Sequence, residues 1–135
     1  MPIYTVEGNT PVYRTVYRIK EKQTGIYTFT IKDEAGAVIP GSSLTSLVLT
    51  VYSAQSGTIV NSRNAQNVLN LNQVAVSESG VLTWTQQVAD VTILDDTLDE
   101  ETHRCLFLFG WSSGGHVRSH PHEVDFLIEN LGKLT

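Results

Sequence analysis

The sequence predicts an all-β protein, an antiparallel sandwich of two sheets with about seven strands. Glycine-containing turns recur along the chain, at Asp33–Gly36, Gln55–Gly57, Ser77–Gly80 and Ser112–Gly115. They flank short runs of alternating apolar and polar residues, and Gly reaches the positive φ angles that reversals between paired strands require. No long segment has the apolar spacing of a helix. Strand, turn and strand repeated within 135 residues are typical of an antiparallel sandwich of two sheets.

Alternation of apolar and polar residues places the individual strands. In Tyr27–Lys32 every second side chain is apolar, so that one face packs and the other faces water. Leu47–Tyr52 and Arg104–Trp111 carry apolar residues on both faces, which is typical of strands in the middle of a sandwich or beneath a subunit contact. Further strand candidates are residues 12–20, 74–76, 81–88 and 124–129. The polar residues 57–73 fit a short strand, a loop or a helical turn equally well.

An acidic stretch at residues 90–102 connects two of these strands. Leu94 and Leu98 are four positions apart, a spacing that a helix would bring to one face. We expect an exposed acidic connection here, and the spacing is also compatible with a short helical crossover near 94–101.

Composition and charge limit the number of domains and the kinds of partner. The chain is 41% hydrophobic and 17% charged, which fits one globular domain. We assign residues 12–135 to that domain and residues 1–11 to an N-terminal segment that serves as an assembly arm. A net charge of −5 argues against a nucleic-acid partner, because phosphate binding depends on clustered Lys and Arg.

No segment predicts contact with a membrane. No apolar run approaches the ~18 residues that span a bilayer. Residues 1–8 also lack the basic start and apolar stretch of a signal peptide. We expect synthesis in the cytoplasm and no membrane partner.

Three histidines form the only constellation that suggests chemistry. His116, His120 and His122 share one side of an extended chain, and imidazole is a common ligand of transition metals. The segment from Gly114 to His122 resembles the start of a cupin metal motif. However, Phe126 and Leu127 stand where a cupin has its glutamate, and Pro121 favours an edge or a break in the strand. We predict no metal and no cofactor, and keep a cupin-like metalloprotein as an alternative.

Other catalytic patterns are absent from the sequence. It has no Gly-x-Ser-x-Gly elbow, no Walker loop and no Gly-x-Gly-x-x-Gly fingerprint. The single cysteine, Cys105, excludes an intrachain disulfide and fits a buried apolar role. We therefore predict that the protein is not an enzyme.

The strands that are apolar on both faces predict a homo-oligomer. They carry more apolar surface than one small sandwich needs, and such surface marks interaction sites. The candidate interface residues are Ile3, Tyr4, Val6, Tyr13, Tyr17, Val48, Tyr52, Leu106 and Leu108. The first three would add as a strand to a neighbouring subunit. A carbohydrate-binding or host-adhesion module that uses Tyr13 or Tyr17 is the alternative.

The order of these features carries a family resemblance. A Tyr-rich lead-in at Val12–Ile19 precedes a strand ending in Asp-x-x-Gly, Ile31–Gly36. A strand with a Gly turn follows at Leu47–Gly57, then Gly80-Val81-Leu82-Thr83-Trp84, His103–Trp111, and the closing Ile128-Glu129-Asn130-Leu131. This order resembles the immunoglobulin-like domains of tailed-bacteriophage virion proteins, such as the amino-terminal part of baseplate upper proteins.

The resemblance implies a non-enzymatic structural or adaptor component of a phage particle, in the neck, tail, baseplate or capsid surface. It implies other virion proteins as partners, and a protein that is assembled into the virion in the host cytoplasm. It transfers no catalytic residue. With one cysteine, the Cys-Trp-Cys core of antibody domains is impossible.

Overall fold

The protein is a β-sandwich in the computed structural model, which describes residues 3–6 and 15–133. Within these residues nine strands form: β1 (Ile3–Val6), β2 (Thr15–Lys20), β3 (Ile26–Thr30), β4 (Leu44–Ser53), β5 (Gln66–Asn67), β6 (Val74–Val76), β7 (Val81–Thr85), β8 (Glu100–Ser113) and β9 (His116–Glu129). Short 3-10 turns occupy Gly41–Ser43, Val88–Val91 and Leu131–Lys133. The predicted all-β class is confirmed.

The strands form two sheets. The four-stranded sheet has the order β1-β3-β7-β6 and the five-stranded sheet the order β2-β9-β8-β4-β5. β1 pairs with β3 and β2 pairs with β9 in parallel, while the other pairings are antiparallel. The two-sheet sandwich is thus confirmed. Its immunoglobulin-like character stays a prediction, which this strand order supports.

The core lies between the two sheets and is rich in aromatic rings. Trp84 of β7 meets Phe107 of β8 at 5.7 Å between ring centroids, and Phe29 of β3 meets Phe107 at 5.5 Å. Trp111 and Cys105 are also buried. Both tryptophans therefore pack in the interior, and the predicted burial of the cysteine is confirmed.

All four predicted turns form, with a glycine at positive φ in each. Gly80, at φ +78°, closes the turn between β6 and β7, and its amide donates to the Ser77 carbonyl at 3.0 Å. A Cβ at this position would lie 2.4 Å from Cγ1 of Val38 and 2.8 Å from the carbonyl oxygen of Ile39. Only glycine fits there, because the backbone angle and the close approach both exclude a side chain.

The helical crossover that the spacing near 94–101 allowed does not form. The backbone there makes turns and bends, and β8 begins at Glu100. The amides of Leu94 and Asp95 donate to the carboxylate of Glu101, at 3.0 and 3.2 Å, and the Ile93 amide donates to Glu21 at 3.0 Å. These carboxylates hold the segment against β8 and against the residue that follows β2, while the backbone of residues 94–99 stays in turns.

Candidate assembly surface

The outward face of the five-stranded sheet carries apolar side chains across its three central strands. Val48 of β4 lies opposite Leu108 of β8, and Leu108 lies opposite Pro121 of β9. Leu106 projects from the same face in the next row. Leu108 is 40% exposed, and Pro121 is also exposed. We call these four residues, Val48, Leu106, Leu108 and Pro121, the apolar patch.

The other sheet shows what an ordinary solvated face looks like in this protein. Of the six outward positions of β3 and β7, four are threonines, Thr28, Thr30, Thr83 and Thr85, and the other two are Ile26 and Val81 at the ends of the strands. Threonine suits a pleated surface and still presents a hydroxyl to water. The leucines and valine of the apolar patch present no polar group. The two outward faces therefore differ in chemistry, as expected if only one of them is covered by a partner.

The charged side chains beside the apolar patch are paired within the chain. Arg104 lies two positions from Leu106 on β8 and donates to both carboxylate oxygens of Asp125, at 3.2 and 3.3 Å. The hydrogen bond to Asp125 raises the pKa of the Arg104 guanidinium, and a hydrogen bond with Tyr52 adds to it. The charge of Arg104 is thus neutralised within the sheet, beside the patch.

Pro121 lies within β9 without interrupting it. The Glu129 carbonyl accepts a hydrogen bond from the Glu21 amide at 2.9 Å, on the side of β9 that faces β2. Backbone groups alternate between the two sides of a strand, and the β8–β9 register has no shift, so the Pro121 nitrogen points to this same side. β2 pairs only with residues 124–129 of β9. Among the described residues, Pro121 therefore lies on an open edge, where its missing N–H removes no ladder bond.

The structure separates the residues that were predicted to form the interface. Val48, Tyr52, Leu106 and Leu108 share the outward face of the five-stranded sheet. Tyr17 of β2 instead points inward, where its ring stacks on Phe126 at 5.6 Å and meets Tyr27 at 6.1 Å. Tyr17 thus contributes to the core, and its use by a glycan or a partner would be limited to its partly exposed edge.

The N-terminal candidates lie in β1, at the edge of the four-stranded sheet. Ile3 pairs with Ile26, Tyr4 with Tyr27 and Val6 with Phe29 of the same chain. Tyr13 lies outside the described residues. Addition of this segment to a neighbouring subunit stays a prediction.

The three histidines do not converge. His116 is exposed at the start of β9, His120 is half-buried, and His122 lies in the core with 2% of its surface exposed. All three histidines lie on the same side of β9. However, the end of the β8–β9 hairpin, residues 112–119, is exposed, so His116 is in solvent while His122 is in the core. No group of three or more potential ligands in the described part of the chain could hold a metal ion.

His122 is part of the contact between the two sheets. Its ring stacks on Phe29 at 3.7 Å, with 9° between the planes, and Nε2 shares a hydrogen bond of 2.6 Å with the Tyr27 hydroxyl. Nδ1 is buried without a hydrogen-bond partner among the described residues. Burial, and secondarily the neighbouring His120, lowers the pKa of His122 to about 4. A neutral imidazole therefore behaves here as a core aromatic ring.

Sequence reasoning missed a buried polar cluster at one end of the sandwich. Arg63, 1% exposed, donates to the Asp90 carboxylate through Nε at 2.6 Å and through a terminal nitrogen at 3.1 Å. It also binds Gln66, Gln73 and the Asn72 carbonyl. The Asp90 carbonyl in turn contacts Nδ1 of His103 at 3.0 Å. The cluster fastens the polar loop of residues 57–73 to the 3-10 turn at Val88–Val91.

None of the helical segments in the described residues has the length and apolar character needed to cross a bilayer.

The fold is shared with a phage protein. The N-terminal domain of phage TP901-1 ORF48 aligns with this chain at a TM-score of 0.51 and 13% sequence identity, over 96% of this chain and 99% of that one. At this identity the likeness shows the fold alone, and in that sense it confirms the resemblance to a phage protein domain. No protein-family model matches the chain, and no curated protein matches its sequence.

Proposed function

We propose that this protein is a non-enzymatic structural component of a tailed-phage particle, in the neck, tail, baseplate or capsid surface, and that it acts by protein–protein assembly. The observation that carries the proposal is the fold shared with a phage protein domain over nearly the whole of both chains. Fold alone does not define function, so the surface must supply the rest of the argument.

The surface of the sandwich fits assembly. The apolar patch lies on rigid central strands, and its neighbouring charges are paired within the chain. Such a patch is expensive to leave in water and is typical of a protein–protein contact. The partners would be other virion proteins, including copies of this chain, and the protein would be found in the virion after assembly in the host cytoplasm.

Analysis of purified particles tests the proposal. Particles produced by the phage that encodes this chain would be banded on a density gradient and analysed by quantitative mass spectrometry. We expect this protein at a fixed ratio to the other structural proteins, and retained after a high-salt wash. A phage with the gene deleted should yield incomplete particles in electron micrographs, and a wild-type copy should restore them. Absence of the protein from particles whose capsid and tail proteins are detected would refute the proposal.

A further inference from the structure

We infer that two copies of this chain pair face to face through the outward face of the five-stranded sheet, around a two-fold axis close to Leu108. The inference rests on the proposed assembly function and names the surface and the partner. Its starting point is the contrast between the two outward faces, since the threonine-rich face of the other sheet shows that the fold itself does not require leucines there.

The face is large enough for a stable pair. The outward positions of the five strands lie about 4.8 Å apart across the sheet and about 6.8 Å apart along each strand, and together they cover a flat area of roughly 600 Å², mostly on β4, β8 and β9 because β2 and β5 are short. Because side chains protrude from the sheet, the accessible surface of such a face is larger than its flat area. It approaches the ~800 Å² per partner that specific interfaces bury. Leu108 lies on the middle one of the three long strands, between Val48 of β4 and Pro121 of β9, and the centre of an interface is where binding energy is concentrated.

The charges favour a second copy over a partner of opposite charge. Arg104 is neutralised by Asp125, and at the β2 edge Arg18 binds Glu100 at 2.9 Å. Lys20 also lies opposite Glu129, so that acidic and basic side chains of the face are largely balanced. The acidic residues that dominate the net charge of −5 include Asp95, Asp96 and Asp99, which precede β8 rather than lying in the patch. A neutral, apolar face can meet its own copy without bringing like charges together.

Glu123 is the acidic residue nearest to the apolar patch, and the proposed axis keeps its two copies apart. It lies opposite Leu106, one row away from Leu108, and on β9 rather than β8. If the two-fold axis passes over Leu108 and runs either along β8 or perpendicular to it, the two copies of Glu123 do not face each other. Each Glu123 then faces another residue of the partner copy. Isologous contacts of this kind are the commonest in soluble oligomers.

Cysteine cross-linking tests the axis directly. Cys105 is buried, and burial raises the pKa of its thiol, so that the native cysteine should not react in the folded protein. In Leu108→Cys the new thiols would face each other across the axis with their backbones about 10 Å apart, too far for a direct disulfide, so a short bis-maleimide reagent should give a covalently linked dimer. Thr83→Cys and Thr85→Cys, on the outward face of the other sheet, are matched controls and should stay largely monomeric. Equal cross-linking of all three variants would refute the inference.

Sedimentation equilibrium measures the pairing itself. Leu108→Glu should raise the dissociation constant at least 30-fold, the effect of losing about 2 kcal/mol at a central contact. Thr83→Glu and Thr85→Glu, on the other sheet, should leave it unchanged. The double variant Leu106→Thr and Leu108→Thr, which has good strand formers at both positions, should also be monomeric and guards against misfolding of the glutamate variant.

The results separate this inference from the proposed function. A wild-type protein that stays monomeric at about 100 μM, a concentration that would reveal even weak pairing, yet is present in purified particles, would overturn the pairing and leave the proposed function standing. A protein that pairs through Leu108 but is absent from particles would overturn the proposed function and leave the pairing. A third result would also overturn the inference: the wild-type protein does not dimerise, yet the Leu108→Glu variant is missing from particles. The face would then be covered by a different virion protein.

Discussion

The contact between Tyr27 and His122 predicts that the protein loses stability in mild acid. His122 lies between the sheets, stacked on Phe29, and the Tyr27 hydroxyl is 2.6 Å from Nε2. A protonated imidazole can only donate hydrogen bonds, so its Nδ1–H would be buried without an acceptor among the described residues. Protonation is therefore disfavoured in the folded state, and the pKa of His122 falls to about 4.

The size of the effect follows from this pKa and the value in the unfolded chain. The neutral form is favoured by folding, so its contribution is fully present above the unfolded pKa of about 6.5 and is lost as the pH falls towards the folded pKa. The difference between the unfolded and the folded pKa of His122 corresponds to about 3 kcal/mol of the free energy of unfolding. Most of this contribution should be lost by pH 4.5. For a domain of this size that is a large share of the free energy of unfolding.

A double-mutant cycle measures both the hydrogen bond and the pH dependence. We expect Tyr27→Phe and His122→Phe each to cost about 1–3 kcal/mol at pH 7, because each leaves a buried polar atom without its partner. The double variant should cost less than the sum of the two, since it removes both groups together. Urea unfolding at pH 7 and pH 4.5 gives the free energy of unfolding of each protein. Protonation of Asp and Glu lowers stability equally in all four proteins, so it cancels when they are compared.

The pH dependence decides whether the reasoning is right. Between pH 7 and 4.5 the wild type should lose about 2–3 kcal/mol more than His122→Phe or the double variant, as the lowered pKa of His122 requires. If all four proteins lose the same free energy over this interval, His122 is not the group that titrates and the argument fails. A double variant that costs the full sum of the single variants would show that the two side chains are not coupled.

Three further predictions concern the backbone, the buried cluster and the cysteine. Gly80→Ala should lower the free energy of unfolding by more than Gly57→Ala, because both have positive φ but a Cβ meets Val38 at 2.4 Å only at position 80; thermal unfolding compares them. Arg63→Met should lower the free energy of unfolding by about 3–5 kcal/mol, because Asp90 would stay buried without its cation. Arg118→Met, which removes an exposed ion pair to Glu34, should lower it by less than about 1 kcal/mol. Equal losses of stability in denaturant unfolding would contradict this. Cys105 should react with a thiol reagent only as fast as the protein unfolds, and rapid labelling in native buffer would contradict its burial.

The strands were predictable because their signals are local. Alternation in Tyr27–Lys32 needs only neighbouring residues, and the structure gives β3 over Ile26–Thr30. The side chain of Tyr17 was predictable in the same way, since Arg18 and Lys20 of the same strand mark the outward parity and leave position 17 facing the core. The interface prediction for Tyr17 gave more weight to residue type than to parity.

Other features depend on contacts between distant residues and could not be predicted. The segment near 94–101 forms turns, and its position is fixed by contacts that no local pattern reveals: the Leu94 amide donates to Glu101, and the preceding Ile93 amide donates to Glu21, 72 positions away. The buried place of Arg63 has no periodic signal, because it lies in a polar loop and is satisfied by Asp90, 27 positions away. The alternation of side chains along a strand correctly predicted that the three histidines lie on one side of β9. It does not show which part of this 14-residue strand is covered by the other sheet, and so could not predict that only His122 is buried.

The apolar patch is the feature on which sequence and structure agree most usefully. A strand buried on one face needs apolar residues only at alternate positions, and Phe107 and Phe109 already fill the inward positions of β8. The leucines between them add nothing to this core. They also add a hazard, since exposed apolar surface promotes aggregation. The threonines at equivalent positions of β3 and β7 show that the same fold is compatible with a polar face. The leucines of β8 are therefore best explained by a surface that covers them, and a face of the same chemistry is available on every copy of the chain.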